Sequence, residues 1–492
     1  MHRTSIAALL ATLPIAAGSS DGEGESHWNQ FRGPNGSGLA PDAKPLPAKL
    51  DPERNLAWKC ALTGGHSSPC IWGERIFVTG AAGNRLETIC VERATGKVLW
   101  TRAVEVPALE RMHEVNGAAT STCATDGEHV IAHFGAFGLV AYDFDGQELW
   151  RRELPLPENT FGTAASPILA EGMLVFVRDT NGLSWLETLD PATGETIWRR
   201  ERTGYESGWS TPILWRREDA DEIVVYGVWR VTAYDLADGA ERWSVPGLTD
   251  EPIVTPVTGE GLVFLTSYNM KTNTEVIGLP EFSKLLEDLD GDASGDLDAQ
   301  EVEPNLSVLS RADADGEGDH PLRMFFRWLD ADRDGKLTAK EYEALRAWVD
   351  GFAHVNGLVA IRPPTGDAPA EIVWQEPSGV PECPSPLYLD GCVFMVKNGG
   401  LATCVEAATG KLLWQERIGA RGPWYSSPVA GDGKIYAASA RGEVTVLAAG
   451  SEFRVLSSTD LGERIMATPA LLDGTVYVRT DEHLWAFRDR AE

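Results

Sequence analysis

A phrase repeats along this chain: a Ser/Thr-Pro step, a glycine turn, an apolar strand, then a Thr/Asp-Gly turn and a tryptophan. The steps end at Pro69, Pro167, Pro212, Pro256, Pro386, Pro428 and Pro469, and Thr122 in Ser-Thr-Cys holds the same place in a degenerate copy. The closing turns carry Gly96, Gly146, Gly194, Gly239 and Gly410, each followed four residues later by Trp100, Trp150, Trp198, Trp243 and Trp414. In the first copy the runs between turns alternate as four short strands, with glycine where tight hairpins need positive φ. A lone four-stranded antiparallel unit cannot bury both faces, but units stacked radially bury them against one another. The expected fold is therefore all-β: an eight-bladed β-propeller of four-stranded antiparallel blades, with the tryptophans filling the seams between blades.

The steps recur at about one blade's length except between Pro256 and Pro386, which lie 130 positions apart. The eighth copy supplies only three strands, and the sequence Asn55-Leu56-Ala57-Trp58-Lys59-Cys60 has the pattern of the missing fourth. Pairing there closes the ring and removes the exposed edge that invites aggregation. The seventh copy departs from the phrase, with Phe453 and Val455 after Gly450. Five segments are expected: 1–19 as an export signal, 20–54 as an irregular strap, 55–277 as the closing strand and the blades up to part of the fifth, 278–352 as a helical insertion in blade 5, and 353–492 as the remainder to blade 8.

Inside the long interval the apolar period changes from two to 3.6. Phe282, Leu285, Leu286 and Leu289, then Leu322, Phe325, Phe326 and Leu329, predict two amphipathic helices. Each leads into a twelve-residue loop with EF-hand spacing, Asp290 to Glu301 and Asp330 to Glu341. Calcium takes six to eight hard oxygens, which this spacing supplies. The ligands expected in the first loop are Asp290, Asp292, Ser294, Asp296 by its carbonyl, Asp298 through water, and bidentate Glu301. In the second they are Asp330, Asp332, Asp334, Lys336 by its carbonyl, Thr338 and Glu341. Leu297 and Leu337 are expected to pair across the loops. Residues 278–352 carry 19 acidic and 8 basic side chains, so the lobe should loosen without calcium. A third acidic run, 313–319, has Met324 where the closing carboxylate belongs and reads as a linker.

The formal charge of −30 repels nucleic acid and anionic lipid. The first residues, with Arg3, an apolar run from Ser5 to Ala17 and small residues after it, have the form of a secretory signal, and no later run reaches the roughly 20 apolar residues that span a bilayer. The expected protein is exported, periplasmic or extracellular, with no transmembrane segment, and a monomer. Its seven cysteines show no metal or haem spacing. Cys60 and Cys70 are a candidate bridge, and buried free thiols are the competing expectation. His129 and His133, four apart on a strand, read as ordinary strand residues, and His113-Glu114 as a loop pair without a placed partner. Catalytic motifs are absent, so no catalytic residue is assigned. Residues ahead of the Ser/Thr-Pro steps should ring one channel mouth: His66, Asn116, Glu206, Trp209, Glu251, Glu382, Trp424 and Arg464 are the candidates for ligand or cofactor contact.

Phrases such as Glu92-Arg-Ala-Thr-Gly-Lys-Val-Leu-Trp100 and Glu406-Ala-Ala-Thr-Gly-Lys-Leu-Leu-Trp414 resemble the tryptophan-docking repeats of PQQ-binding-like β-propellers (PQQ, pyrroloquinoline quinone). That superfamily holds quinoprotein alcohol and sugar dehydrogenases and also the non-enzymatic lipoprotein BamB. The resemblance implies eight blades, not a chemistry. The alcohol-oxidising branch implies adjacent cysteines bridged against the quinone and often a CxxCH segment, both missing here. The lipoprotein branch implies a cysteine at the signal cleavage site, whereas the first cysteine is Cys60. The leading expectation is a non-catalytic propeller that binds a protein or polymer partner and two calcium ions. The alternative is a PQQ-dependent dehydrogenase, although no specific residue supports the cofactor.

Overall fold

A computed structural model describes residues 27–489 apart from 42–43, 218–219, 270–280, 303–306, 310–319, 322–325, 327–328, 331, 344–354 and 367. The expected signal segment, the acidic run 313–319 and much of the second insertion helix lie outside the described residues.

Eight four-stranded antiparallel sheets form the ring. Blade 1 shows the plan: a three-residue inner strand Cys70–Trp72, then Arg75–Ala82, Arg85–Glu92 and the outer strand Val98–Glu105. The two middle strands are buried almost throughout, because both of their faces meet neighbouring blades, whereas outer strands alternate with solvent. Blade 8 takes its outer strand from the N-terminal side: Leu56–Ala61 pairs antiparallel with His483–Arg488, with Trp58 opposite Ala486. The ring closes as expected. Blade 5 is divided by the insertion, which leaves after Leu262–Ser267 and returns at Gly357–Arg362.

Every blade has a register shift between its third and fourth strands, next to the recurring outer-strand position. Such bulges re-aim a side chain, here towards the following blade. The indole NH of Trp58 donates to Arg93 O, Trp100 to Phe144 O, Trp150 to Pro191 O and Trp198 to Leu236 O. Each of these indoles lies on the turn glycine of the next blade, so that a Cβ at Gly96, Gly146, Gly194 or Gly239 would approach it to between 2.5 and 2.7 Å. The glycine and tryptophan of one repeat therefore serve opposite seams. Trp374 docks on Gly410 in the same way, a member hidden from the phrase because its own turn lies eight residues upstream, at Gly366. Trp243 departs: its indole NH donates to Glu222 within its own blade. Where blade 7 lacks a tryptophan, Phe453 packs against Trp414 at 5.2 Å.

The Ser/Thr of each Ser/Thr-Pro step builds an inner belt. The backbone NH of Ser68 donates to Thr122 Oγ1, Thr122 to Ser166 Oγ, and Ser166 to Thr211 Oγ1. Beyond one gap, Thr255 donates to Ser385 Oγ, Ser385 to Ser427 Oγ, Ser427 to Thr468 Oγ1, and Thr468 back to Ser68 Oγ, all at 2.9–3.0 Å. Seven of the eight junctions are thus bonded blade to blade. Thr122 occupies its place in the belt, as its degenerate copy implies. Ser166→Ala strips Thr122 NH of its acceptor in a buried setting and should cost about 1–3 kcal/mol, with Ser166→Thr near neutral; denaturant midpoints check both.

The strap enters the channel. His27–Trp28 pairs antiparallel with the inner strand of blade 1. Thr125 NH of blade 2 donates to Asn29 O, Leu169 NH of blade 3 to Gln30 Oε1, and Leu214 NH of blade 4 to Asn35 Oδ1. Arg32 Nη2 donates to Pro386 O at blade 6, and Gly38 and Ala40 exchange backbone bonds with Ala430 of blade 7. Lys44 reaches Asp473 of blade 8. One irregular segment is stitched to nearly every blade. Arg32, Gly33, Asn35, Gly36 and Gly38 all have positive φ, which explains the Gly/Asn-rich composition.

Candidate functional site

Loops ahead of the Ser/Thr-Pro steps enclose a cavity of about 320 Å³ on the channel axis, and all eight belt residues line it. Phe31 is the strap's contribution to its wall. Of the eight candidates expected there, five do line the cavity: His66, Asn116, Trp209, Glu251 and Glu382. Three do not. Glu206 is exposed, Arg464 pairs with Asp481 at 2.8 Å, and Trp424 is fully buried with its indole NH on Ala420 O. Tyr425 takes the place expected of Trp424.

An aromatic row forms one wall. His113 meets Phe161 edge-on at 5.5 Å, Phe161 meets Trp209 at 5.3 Å, and Trp209 Nε1 donates to Gly162 O at 2.7 Å. His113 therefore has the partner that its sequence context did not place. Asn116 locks this wall: its amide donates to Phe161 O and Thr163 O, and its oxygen accepts from Gly117 NH and Thr120 Oγ1. Tyr268, Tyr425 and Met466 add to the lining, which also includes the half-buried carboxylates Glu251 and Glu382. His66 titrates near 4, because burial and then Arg464 disfavour its charged form, so it is neutral at pH 7. Among the described residues no lysine or arginine lines the cavity. The belt's open junction is here too: Thr255 Oγ1 is 1 % exposed, lines the cavity and has no hydrogen-bond partner.

In the insertion, Phe282–Leu289 is helical, and Leu297 and Leu337 are cross-strand partners. Phe282, Leu285, Leu297, Phe326, Leu329, Leu337 and Tyr342 share one small core. In the first loop Asp290 accepts Ser294 NH and Gly295 NH, and Glu301 accepts Gly291 NH and Asp298 NH. In the second loop Asp330 accepts Asp334 NH and Gly335 NH, and Glu341 accepts Thr338 NH. Carboxylate oxygens of Asp290, Asp292 and Glu301, and of Asp330, Asp332 and Asp334, converge to within 4.8 Å. Lys336 Nζ crosses to Asp296 at 2.9 Å. Three carboxylates thus converge in each loop, and their oxygens are hard donors.

Cys60, Cys70, Cys90, Cys123, Cys383, Cys392 and Cys404 are all free thiols, so the Cys60–Cys70 bridge does not form. His133 packs edge-on against Phe176, an ordinary strand residue as expected.

Strand pairing, the closed ring and the docked tryptophans define a member of the PQQ-like eight-bladed propeller class. Within that class the chain belongs to the family described as outer membrane protein assembly factor BamB, whose model matches residues 48–188, 183–281, 355–452 and 397–491. The outer membrane protein assembly factor BamB of Yersinia pestis is 22 % identical over 372 residues, which cover 74 % of this chain and 84 % of that protein. Among solved structures, BamB from Moraxella catarrhalis superposes with a TM-score of 0.54 at 13 % identity, covering 88 % of this chain and 99 % of that one. Quinohemoprotein alcohol dehydrogenase from Comamonas testosteroni superposes with a TM-score of 0.57 at 12 % identity, covering 95 % and 81 %. The two solved structures share the fold with this chain.

That fold also carries quinoproteins, whose cofactor sets a chemical requirement on the cavity. PQQ bears three carboxylates, and anions of that kind are held by arginine or lysine donors. Among the described residues this lining presents two carboxylates, no lysine or arginine, and no bridged cysteines. Those described residues do not fit the quinone.

Proposed function

We propose that this chain is a non-catalytic, exported binding propeller that holds a protein or polymer partner at its cavity face. The observation that carries this reading is the cavity itself: aromatic rings, two carboxylates and a ring of hydroxyls, which suit recognition of a polar partner and oppose the quinone of the oxidising branch. The relatives named as assembly factors support a periplasmic setting and a protein partner. Among the described residues no helix is long and apolar enough to cross a membrane. The test is capture of envelope proteins by the immobilised chain. A partner retained by the wild type and lost with Trp209→Ala supports the reading. Equal retention by both contradicts placement at this face.

The insertion adds two EF-hand calcium sites to this reading. Calcium would be held by Asp290, Asp292, Ser294, Asp298 and Glu301 in one loop and by Asp330, Asp332, Asp334, Thr338 and Glu341 in the other. Its role is to neutralise a lobe of net charge −11. Chelation is expected to lower the helical circular-dichroism signal and abolish an early melting step, with the main β transition unmoved. An unchanged signal and melting curve would argue against calcium-dependent folding. Affinities of about 10⁻⁴ to 10⁻³ M suffice outside the cell.

A further inference from the structure

We propose that the central cavity is a site for a neutral sugar unit, a pyranose held as a ligand and released unchanged, whether free or at the end of a glycan. This deepens, and rests on, the binding role proposed above. The belt supplies the polar half of such a site. Seven of its hydroxyls each accept one backbone NH from the neighbouring blade, and Thr255 Oγ1 accepts none. A hydroxyl has one hydrogen and two lone pairs. Among the described residues none of the eight donates its hydrogen to a protein acceptor. Each belt oxygen therefore keeps a hydrogen to give and a lone pair to fill, although every belt residue is 3 % exposed or less and lines the cavity. Half-buried His66 adds a neutral imidazole, with one donor and one acceptor. Asn116 adds nothing, because its amide is spent on the wall. A ligand that fits must give and take hydrogen bonds at the same atoms. An ammonium only donates and a carboxylate only accepts, whereas a sugar hydroxyl does both. None of these contacts calls for a charge on the wall.

The aromatic lining supplies the other half. Phe31 of the strap, Phe161, Tyr268 and Tyr425 are half-buried there, beside Trp209. A pyranose carries a face of C–H bonds with hydroxyls at its rim, and the negative face of an aromatic ring attracts the first while the belt bonds the second. Water satisfies a ring of hydroxyls but gains nothing from the aromatic groups, so the two together point to a sugar. Thr255 marks one contact. Its Oγ1 is buried on the cavity wall without a partner, which costs free energy, and a sugar hydroxyl would satisfy it. Size limits the occupant as well. A volume of about 320 Å³ is at the lower end of small-ligand sites, enough for a sugar unit but not for a folded element.

The test is calorimetric titration of the whole protein at constant calcium. The probes are glucose, galactose, mannose and N-acetylglucosamine. Cyclohexanol, butylammonium and acetate are the controls, keeping little more than the apolar ring, only donors and only acceptors. At least one sugar is expected to bind at least tenfold tighter than all three controls. Thr255→Val removes the unpartnered hydroxyl and no protein hydrogen bond, so it should weaken that sugar severalfold at an unchanged melting temperature. Trp209→Ala should weaken it further. If either variant does not fold, the ratio of sugar to control in the wild type decides alone. Tighter binding of maltotriose, cellotriose or chitotriose than of its monomer assigns the site to the end of a glycan, and equal or weaker binding assigns it to a free sugar. No sugar binding, or affinity no better than the controls, overturns the proposal and leaves the belt to water. Unaltered affinity in both variants also overturns it, by placing the sugar elsewhere. Failure here with partner capture intact removes the sugar and leaves the binding role; lost capture with sugar binding intact does the reverse.

Discussion

Trp28→Ala is expected to destabilise the propeller by about 3–5 kcal/mol, the range for deleting a buried aromatic side chain. Trp28 is fully buried although it belongs to a strap that is mostly irregular, and it shares a core with Ile71, Val78, Tyr436 and Val478 from blades 1, 7 and 8. Gly33 is folded over it, so close that a Cβ would stand 2.6 Å from the indole. The loss is therefore a loss of packing. The indole NH has no partner, so Trp28→Phe should retain more than half of the stability lost in the alanine variant. Denaturant midpoints measure both. A Trp28→Ala protein as stable as the wild type would mean that the strap is a passenger on the ring.

Asp179→Ala should be comparably severe. Arg202 is 0 % exposed and is held by Asp179 through two hydrogen bonds, at 2.8 and 2.9 Å, while its guanidinium lies 3.7 Å over the Tyr205 ring. Burial works against the charge, and Asp179 more than offsets it, leaving Arg202 firmly protonated. Removing the carboxylate strands a buried cation, at a cost of about 3–5 kcal/mol. Removing both charges does not: Asp179→Ala combined with Arg202→Met should recover most of the loss, because apolar replacement of a buried pair is often neutral. A double variant no more stable than Asp179→Ala would show that the pair acts through shape rather than charge.

These two sites differ in how far the sequence discloses them. The blade count and the closing strand with Trp58 were legible, because each rests on local spacing that survives folding. What one repeat does to the next was not. The belt joins residues 41 to 54 positions apart in sequence at most junctions and 400 at the closing one, between Thr468 and Ser68, and no single copy shows that its hydroxyl serves the neighbour. The strap's route depends on seven surrounding blades. At the cavity, the candidates were displaced by one or two residues where the chain is extended and neighbouring side chains point to opposite sides. Trp424 turned inward beneath Ala420 and Tyr425 faced the axis. His113, Phe161 and Tyr268 came from loops whose lengths vary between copies, so no phrase marked them. Trp374 was missed for the same reason, since its turn lies eight residues upstream instead of four.

The central claim is that this ring has the architecture of a quinoprotein and the cavity of a binder. Gel filtration after incubation with PQQ and calcium, followed by dye-coupled assay with alcohols and sugars, tests it most directly. The account predicts that no quinone absorbance travels with the protein and that no dye is reduced. Quinone retained near one equivalent, with dye reduction that Glu251→Gln or Glu382→Gln abolishes, would contradict it.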